Sequence, residues 1–376
     1  MEFLSSSDLI VSKTLGSFNV SSYEEAIILH HRAMQLLSRK QILLSYWAAT
    51  TTTTILEPSP PSSTLSSLTN PQRRPYDAWA RAIRNATTAY LQQQSTNVTA
   101  GALIRLAFHD ATTSARPNNG SIRYELQWSE NRALAQPLAV VQAIHDDNRN
   151  LLMMDTKSNR NNKDKNAVVV GSFADTLALV ATQAIEYAGG PSIAIRLGRV
   201  DSDTADPYLL ATPLMRDTPR SRVTQTMPNA GLDSDGLRLY FQQHVGLTQA
   251  EFVALSGLHG LGRHVSLLGM DKGCLRNLTR VCLEDAPVLL PFVTASVDKF
   301  SNAYFCALLQ WNARQVELGQ VAFIPTDVAL VVDAGLRRHV ERFARDEVLY
   351  ERTLARAWQR LMEGSGRANA LTRERY

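Results

Sequence analysis

Cysteine is scarce. Cys274, Cys282 and Cys306 are the only three in 376 residues. A small, odd number spread this way builds no disulfide framework, and no CxxC pair marks a zinc site. Ordinary thiols in a reducing compartment fit best, with a Cys274–Cys282 bridge open if the protein is lumenal. Long hydrophobic runs are also lacking. The longest uncharged stretch near the N-terminus, "QILLSYWAATTTTTIL", is too short and too rich in hydroxyls for a bilayer span, so no transmembrane segment is expected. The net charge of +4 is small, and the Lys and Arg residues are scattered with no basic stripe among aromatics. That excludes an electrostatic nucleic-acid footprint. Strand patterns are few: "AVVVG" and "SIAIRLG" are the only candidates.

Acidic residues are missing from one region. Between Ala26 and Arg74 only Glu57 carries a negative charge, while Ser, Thr and Pro are dense and Arg32, Arg39, Lys40, Arg73 and Arg74 are basic. Hydroxyl-rich, basic and acid-poor composition describes an organelle transit peptide. A disordered extension of another role has the same composition. Glu2, Asp8, Glu24 and Glu25 precede the acid-poor segment, and Met34 is an alternative start that would remove them. Residues 1–74 are therefore expected to be a leader or extension, residues 75–364 the folded domain, and residues 365–376 a disordered tail.

What is present is mostly helical periodicity. "YDAWARAIRNATTAYLQQ" opens the folded part, followed by "ENRALAQPLAVVQAIHDD" and "GSFADTLALVATQAIEYAGG", the latter closed by Gly189 and Gly190. "LTQAEFVALSGLHGLG" begins with Thr248 and has Glu251 three residues later, a capping box. Two more helical stretches, "ASVDKFSNAYFCALLQWNARQ" and "AGLRRHVERFARDEVLYERTLARAWQRLMEG", complete a mainly α chain. The polar insert from Asp146 to Lys165 reads as a solvated loop.

Two helices are chemically unusual. "GALIRLAFHDATTS" is apolar nearly all round, the mark of a buried helix, yet carries Arg105 and His109 four residues apart on one face. A cation beside an imidazole in such a setting is costly unless it faces an anion, a cofactor or developing charge. The second, "EFVALSGLHGLGRHV", holds His259 near its end, with Gly257, Gly260 and Gly262 letting something bulky approach the backbone. Alone, each histidine reads more often as a satisfied core residue than as a ligand or catalyst, and the Arg105 beside His109 raises the functional reading.

Together these stretches resemble a known family. "LIRLAFHDA" is similar to the distal signature of the plant, fungal and bacterial haem peroxidase superfamily, and "VALSGLHGLGR" to its proximal signature. "GSIRYELQWSENRAL", "FADTLALVATQAIEYAGGPSIAIRLGRVDS", "MPNAGLDSDGLRLYF", "FSNAYFCALL" and "IPTDVAL" match family segments in order. The chain looks closest to the class that includes ascorbate peroxidase, and within it to divergent plastid relatives. The resemblance implies a two-domain helical fold with one haem b between distal and proximal helices. It implies hydrogen peroxide as substrate and a plastid as the compartment, with a mitochondrion as the alternative.

The resemblance also implies roles. His259 is matched to the axial ligand of the haem iron and Asp327 to the carboxylate that accepts its other ring N–H. The helix following Asp327 also allows that residue an N-cap role. His109 is matched to the distal acid–base, Arg105 to the stabiliser of developing charge, and Asn131 to the acceptor that orients His109. Phe108 would cover the haem face, Phe292 stands at or next to the family's proximal tryptophan, and Glu125 would tie the distal helix down. Asp110 is expected to hold the end of its helix. These residues imply heterolysis of peroxide, a ferryl intermediate and two one-electron reductions.

The departures cluster on the reducing side. Leu267 and Leu268 stand where ascorbate peroxidases place an Arg, and Asn97 where they place a Lys. Gly260 and Ser301 replace a Thr and an Asp of the family's cation site. Two readings follow: a peroxidase using a donor other than bound ascorbate, or a peroxidase-fold subunit of an organellar complex without catalysis. Phe108 excludes the crosslink that bifunctional catalase-peroxidases need.

Overall fold

The computed structural model describes residues 70–93, 98–112, 118–131, 133–149, 171–207, 232–265, 289–293, 298–311, 323–364 and 375–376. Residues 1–69 of the expected leader, the strand candidate at residues 167–170, Cys274, Cys282, Asn97, Leu267 and Leu268 lie outside them, whereas residues 70–74 of the leader open the first helix. Ten α-helices organise the described residues. They are α1 (Asn70–Gln92), α2 (Ala100–Ala111), α3 (Ala135–Asn148), α4 (Phe173–Tyr187) and α5 (Ser234–Arg238), then α6 (Gln249–Ser256), α7 (Ala303–Leu309), α8 (Pro325–Val332), α9 (Ala334–Arg345) and α10 (Glu347–Glu363). A π-helical turn, Leu239–Val245, continues α5.

The caps explain where helices start. Thr99 Oγ1 accepts the Ala102 N–H at 3.3 Å, Ser172 Oγ the Asp175 N–H at 3.0 Å, and Asp346 Oδ1 the Leu349 N–H at 2.8 Å. Each fills one of the donors a helix start leaves open. The capping box read from Thr248 and Glu251 is present, with the Glu251 carboxylate accepting the Thr248 N–H at 2.8 Å. Glu251 also takes Arg360 Nη1 at 2.9 Å and 2.8 Å, which ties α6 to α10.

Helix α4 is the centre of the fold. Twelve of its residues, from Phe173 to Ile185, are buried, which is why its sequence shows little polar face. Helices α1 and α2 pack on it from one side, and α10 reaches it through Trp358 Nε1, which donates to Thr182 Oγ1 at 2.9 Å. One continuous apolar core runs from Trp79 and Ile83 through α2, α4 and α6 to Tyr304, Phe305, Phe343 and Trp358.

At the start of α4 lies a buried ion pair. Asp175 Oδ1 accepts Arg199 Nη1 at 2.7 Å, and both side chains are at most 2% exposed. Asp175 also accepts the Gly198 and Arg199 N–H groups, while Arg199 Nη2 donates to the Met362 carbonyl at 2.6 Å. The pair thereby joins α4, the 196–199 segment and the end of α10.

The strand expected in "SIAIRLG" does not join a sheet. Ile193, Ile195 and Leu197 are buried in alternation, so the period of two is real. Its partner is a single residue: Ile195 and Tyr376 exchange both backbone hydrogen bonds, at 3.0 Å and 2.8 Å. Of the expected tail, residues 365–374 lie outside the described residues, and Arg375 and Tyr376 are held here. Arg84 Nη2 donates to the Tyr376 carbonyl, and Arg375 pairs with Glu363. The two-stranded sheet forms elsewhere, from Arg263–Val265 (β1) and Leu289–Pro291 (β2), antiparallel with His264 opposite Leu290.

Helix α2 touches the proximal turn at its first residues. A methyl group on Gly101 would overlap the Leu261 carbonyl oxygen and lie 2.9 Å from its carbon. A helix Gly→Ala change ordinarily stabilises by about 0.5–1 kcal/mol. Here overpacking of about 1–3 kcal/mol opposes it. Gly101→Ala should therefore lower the melting temperature, and an unchanged or higher value in a thermal scan would contradict the close approach.

Candidate active site

His109 lies in the third turn of α2 and is 8% exposed. Its Nδ1 is 2.7 Å from Asn131 Oδ1. The amide of Asn131 is oriented by a second bond, Nδ2 donating to the Glu125 carbonyl at 2.9 Å. With the amide nitrogen committed there, the oxygen faces the ring. Nδ1 of His109 must therefore carry the proton, and Nε2 the lone pair. Burial, then the nearby Arg105 charge, push the His109 pKa down to about 3, against the opposing Asn131 bond. The imidazole is neutral at ordinary pH.

Arg105 sits one turn earlier on the same face of α2. It is exposed, and its Nη2 donates to the Glu130 carbonyl at 2.7 Å. The guanidinium leans toward the short turn Ser129–Asn131 that also presents Asn131, so one segment positions both partners of the α2 face. Phe108 is partly buried, with its ring 6.3 Å from that of His109.

Asp110 behaves as a structural residue. Its carboxylate accepts the Gly120 and Ile122 N–H groups at 3.1 Å and 3.2 Å, fastening the next turn to the end of α2. Burial raises its pKa to about 6 against those bonds. The Glu125 side chain does not reach the distal helix as expected. Its Oε1 accepts the Asp206 N–H at 2.9 Å. Its backbone carbonyl, through Asn131, makes the link to His109.

The second histidine is built differently. Helix α6 ends at Ser256 and His259 lies in the tighter turn Gly257–Leu261 that follows. His259 Nδ1 is 2.8 Å from Asp327 Oδ1. Asp327 is the third residue of α8, 1% exposed, and its Oδ2 accepts the Ile324 N–H at 3.2 Å. It is thus not the N-cap residue, though it reaches back to cap the helix start while holding the imidazole. Burial alone would lower the His259 pKa, but the Asp327 charge and hydrogen bond reverse that and raise it.

Phe292 stacks on His259 with centroids 4.8 Å apart and planes 13° from parallel. Tyr304, which the sequence gave no reason to select, completes the group. Its hydroxyl donates to Asp327 Oδ1 at 2.6 Å, and its ring stands edge-on to His259 at 6.1 Å. Ser301, one turn away, has its Oγ accepting the Ala303 N–H at 3.3 Å at the start of α7. The structure thus brings Arg105, His109 and Asn131 into one group, and His259, Asp327 and Phe292 into another.

Comparison with known proteins places this arrangement. The profile of the family described as Peroxidase matches residues 83–346. A Cryptococcus neoformans var. neoformans protein named as a heme-binding peroxidase is 31% identical over 205 residues, covering 51% of this chain and 53% of its own. The chloroplastic L-ascorbate peroxidase T of Arabidopsis thaliana is 28% identical over 274 residues, covering 69% and 54%. The mitochondrial cytochrome c peroxidase of Emericella nidulans is 29% identical over 217 residues, covering 54% and 51%. The matched stretch spans about half the length of each of these relatives. The chain belongs to the peroxidase family, to its ascorbate-peroxidase-like haem peroxidases.

The donor set fits that family's cofactor. With Nδ1–H of His259 given to a carboxylate, Nε2 keeps the lone pair that an iron requires. The His259 side chain is 39% exposed, so it is reachable, while Leu258, Leu261, Phe292 and Val293 around it are buried and apolar.

Proposed function

We propose that the protein is a haem-dependent peroxidase that reduces hydrogen peroxide with a one-electron donor other than specifically bound ascorbate. The observation that carries this reading is the His109–Asn131 pair: a buried, neutral imidazole whose only free ring nitrogen is a base. A fixed tautomer also suits a core histidine; the basic nitrogen left beside the Arg105 charge is what favours catalysis over a structural role.

His259 would hold the iron through Nε2 and Asp327 would keep its ring in place and make it more basic. When bound, haem would supply an iron site for peroxide and the two electrons that its O–O cleavage consumes. His109 Nε2 would take a proton from the attacking peroxide and return it to the leaving oxygen. Asn131 keeps that nitrogen unprotonated. Arg105, always charged, stabilises the negative charge that develops as the O–O bond breaks. Phe108 covers the cofactor face beside His109 and excludes water. The donor side rests on sequence: Asn97, Leu267 and Leu268 carry no charge to hold an anionic reductant. The acid-poor leader, and relatives named chloroplastic or mitochondrial, support an organellar location, which we assign to the plastid.

The full chain, given equimolar haemin, should develop a Soret band that shifts on adding hydrogen peroxide. Phenolic donors should restore the resting spectrum, and ascorbate should do so without saturation. Absence of haem uptake would overturn the reading, and saturable turnover of ascorbate would overturn its donor half.

A further inference from the structure

Asp327 holds two ring-bearing residues at once. His259 Nδ1 at 2.8 Å and the Tyr304 hydroxyl at 2.6 Å meet the same oxygen, Oδ1, while Oδ2 takes only the Ile324 N–H at 3.2 Å. The stacked neighbour, Phe292, has no donor to offer. Tyr304 is 0% exposed, so its hydroxyl has to find its partner inside the protein. The Tyr304 ring is held by Phe305 at 5.1 Å and Phe323 at 5.9 Å, both edge-on.

A hydroxyl-to-carboxylate bond of this length is among the stronger hydrogen bonds, because the acceptor is charged. Two donors on one oxygen divide its charge. The more Tyr304 draws, the less the oxygen pulls the Nδ1 proton, and the less imidazolate character His259 acquires. The ring's own geometry would pack as well in a phenylalanine, so packing does not account for the hydroxyl.

We infer that Tyr304 is a positioning residue of the proximal site, its hydroxyl sharing Asp327 Oδ1 with His259 and so limiting how much electron density the imidazole passes to a bound iron. The inference rests on His259 being the iron ligand. It predicts a higher midpoint potential than an Asp–His pair without the phenol would give.

The test uses the full chain loaded with haem. In Tyr304→Phe, the iron–histidine stretching band of the ferrous protein should move to higher frequency and the ferric/ferrous midpoint potential should fall. Placing 3-fluorotyrosine at position 304, a stronger donor of the same shape, should move both the other way, and it covers the case in which Tyr304→Phe does not fold. In an Asp327→Asn background the Tyr304→Phe shifts should shrink, because the shared charge is gone. Unchanged band and potential in both position-304 variants, with haem bound, would overturn the role of Tyr304 alone. Failure of the unaltered chain to take up haem would overturn it together with the reading of His259.

Discussion

Replacing His109 with Ala should slow the spectral response to peroxide by about 10²–10⁴-fold, the usual worth of a positioned acid–base. Haem uptake should persist, because His259 lies in the turn after α6 and Asp327 on α8, and neither is on α2. The substitution removes the one ring nitrogen that Asn131 keeps free of a proton. Stopped-flow spectra of the loaded full chain at increasing peroxide read the rate, and a change of less than threefold would exclude His109 as the base. The pH dependence follows from the same burial. The folded His109 titrates at about 3, below the ordinary 6.5 of an unfolded chain. The unprotonated form therefore dominates at neutral pH, and the rate should stay level into mild acid. Stability carries the same sign. Full above about pH 6.5, it is lost as the pH falls toward 3, because only the unfolded state gains the proton in that window.

Asp175→Ala should have the largest effect on stability, of about 3–5 kcal/mol, the cost of leaving a buried charge without its partner. Arg199 would keep its bonds to the Arg196 and Met362 carbonyls, but it would lose the carboxylate bonded to it, and only the unbonded Asp110 charge would still act on it. The Gly198 and Arg199 N–H groups would lose their acceptor as well. For a chain of this size each kcal/mol lowers the melting temperature by about 2–4 °C, so a fall of roughly 10 °C is expected. A calorimetric scan that shows less than 3 °C would mean the pair contributes little. Because α4 is the surface on which α2 packs, the distal group should lose definition along with the melting temperature.

The helices and the two histidines were legible in the sequence because their signals are local. Apolar spacing, caps and glycine stops lie within one element, and Arg105, Phe108 and His109 fall in five consecutive positions. Asn131 and Asp327 were reachable only through motif resemblance. Their partners are 22 and 68 positions away, and no spacing rule encodes such a pairing. Tyr304 escaped for that reason too. "FSNAYFCALL" was visible as a helix, but not that one hydroxyl would turn toward a carboxylate 23 positions on. The loss of an N–H donor at Phe292 was the available hint. β1 and β2 have three residues each, too few for an alternation to register. "SIAIRLG" alternates because of burial, and lacks a strand beside it.

The contact of Gly101 with Leu261 has a consequence for how such a site can change. The element that presents His109 and the turn that presents His259 meet backbone to backbone at one end. His109 lies eight residues beyond that contact, about 12 Å along α2. The two arms behave like a pair of tongs riveted at the pivot. The pivot closes only because position 101 carries no side chain, so the spacing of the two elements at that end depends on this one glycine.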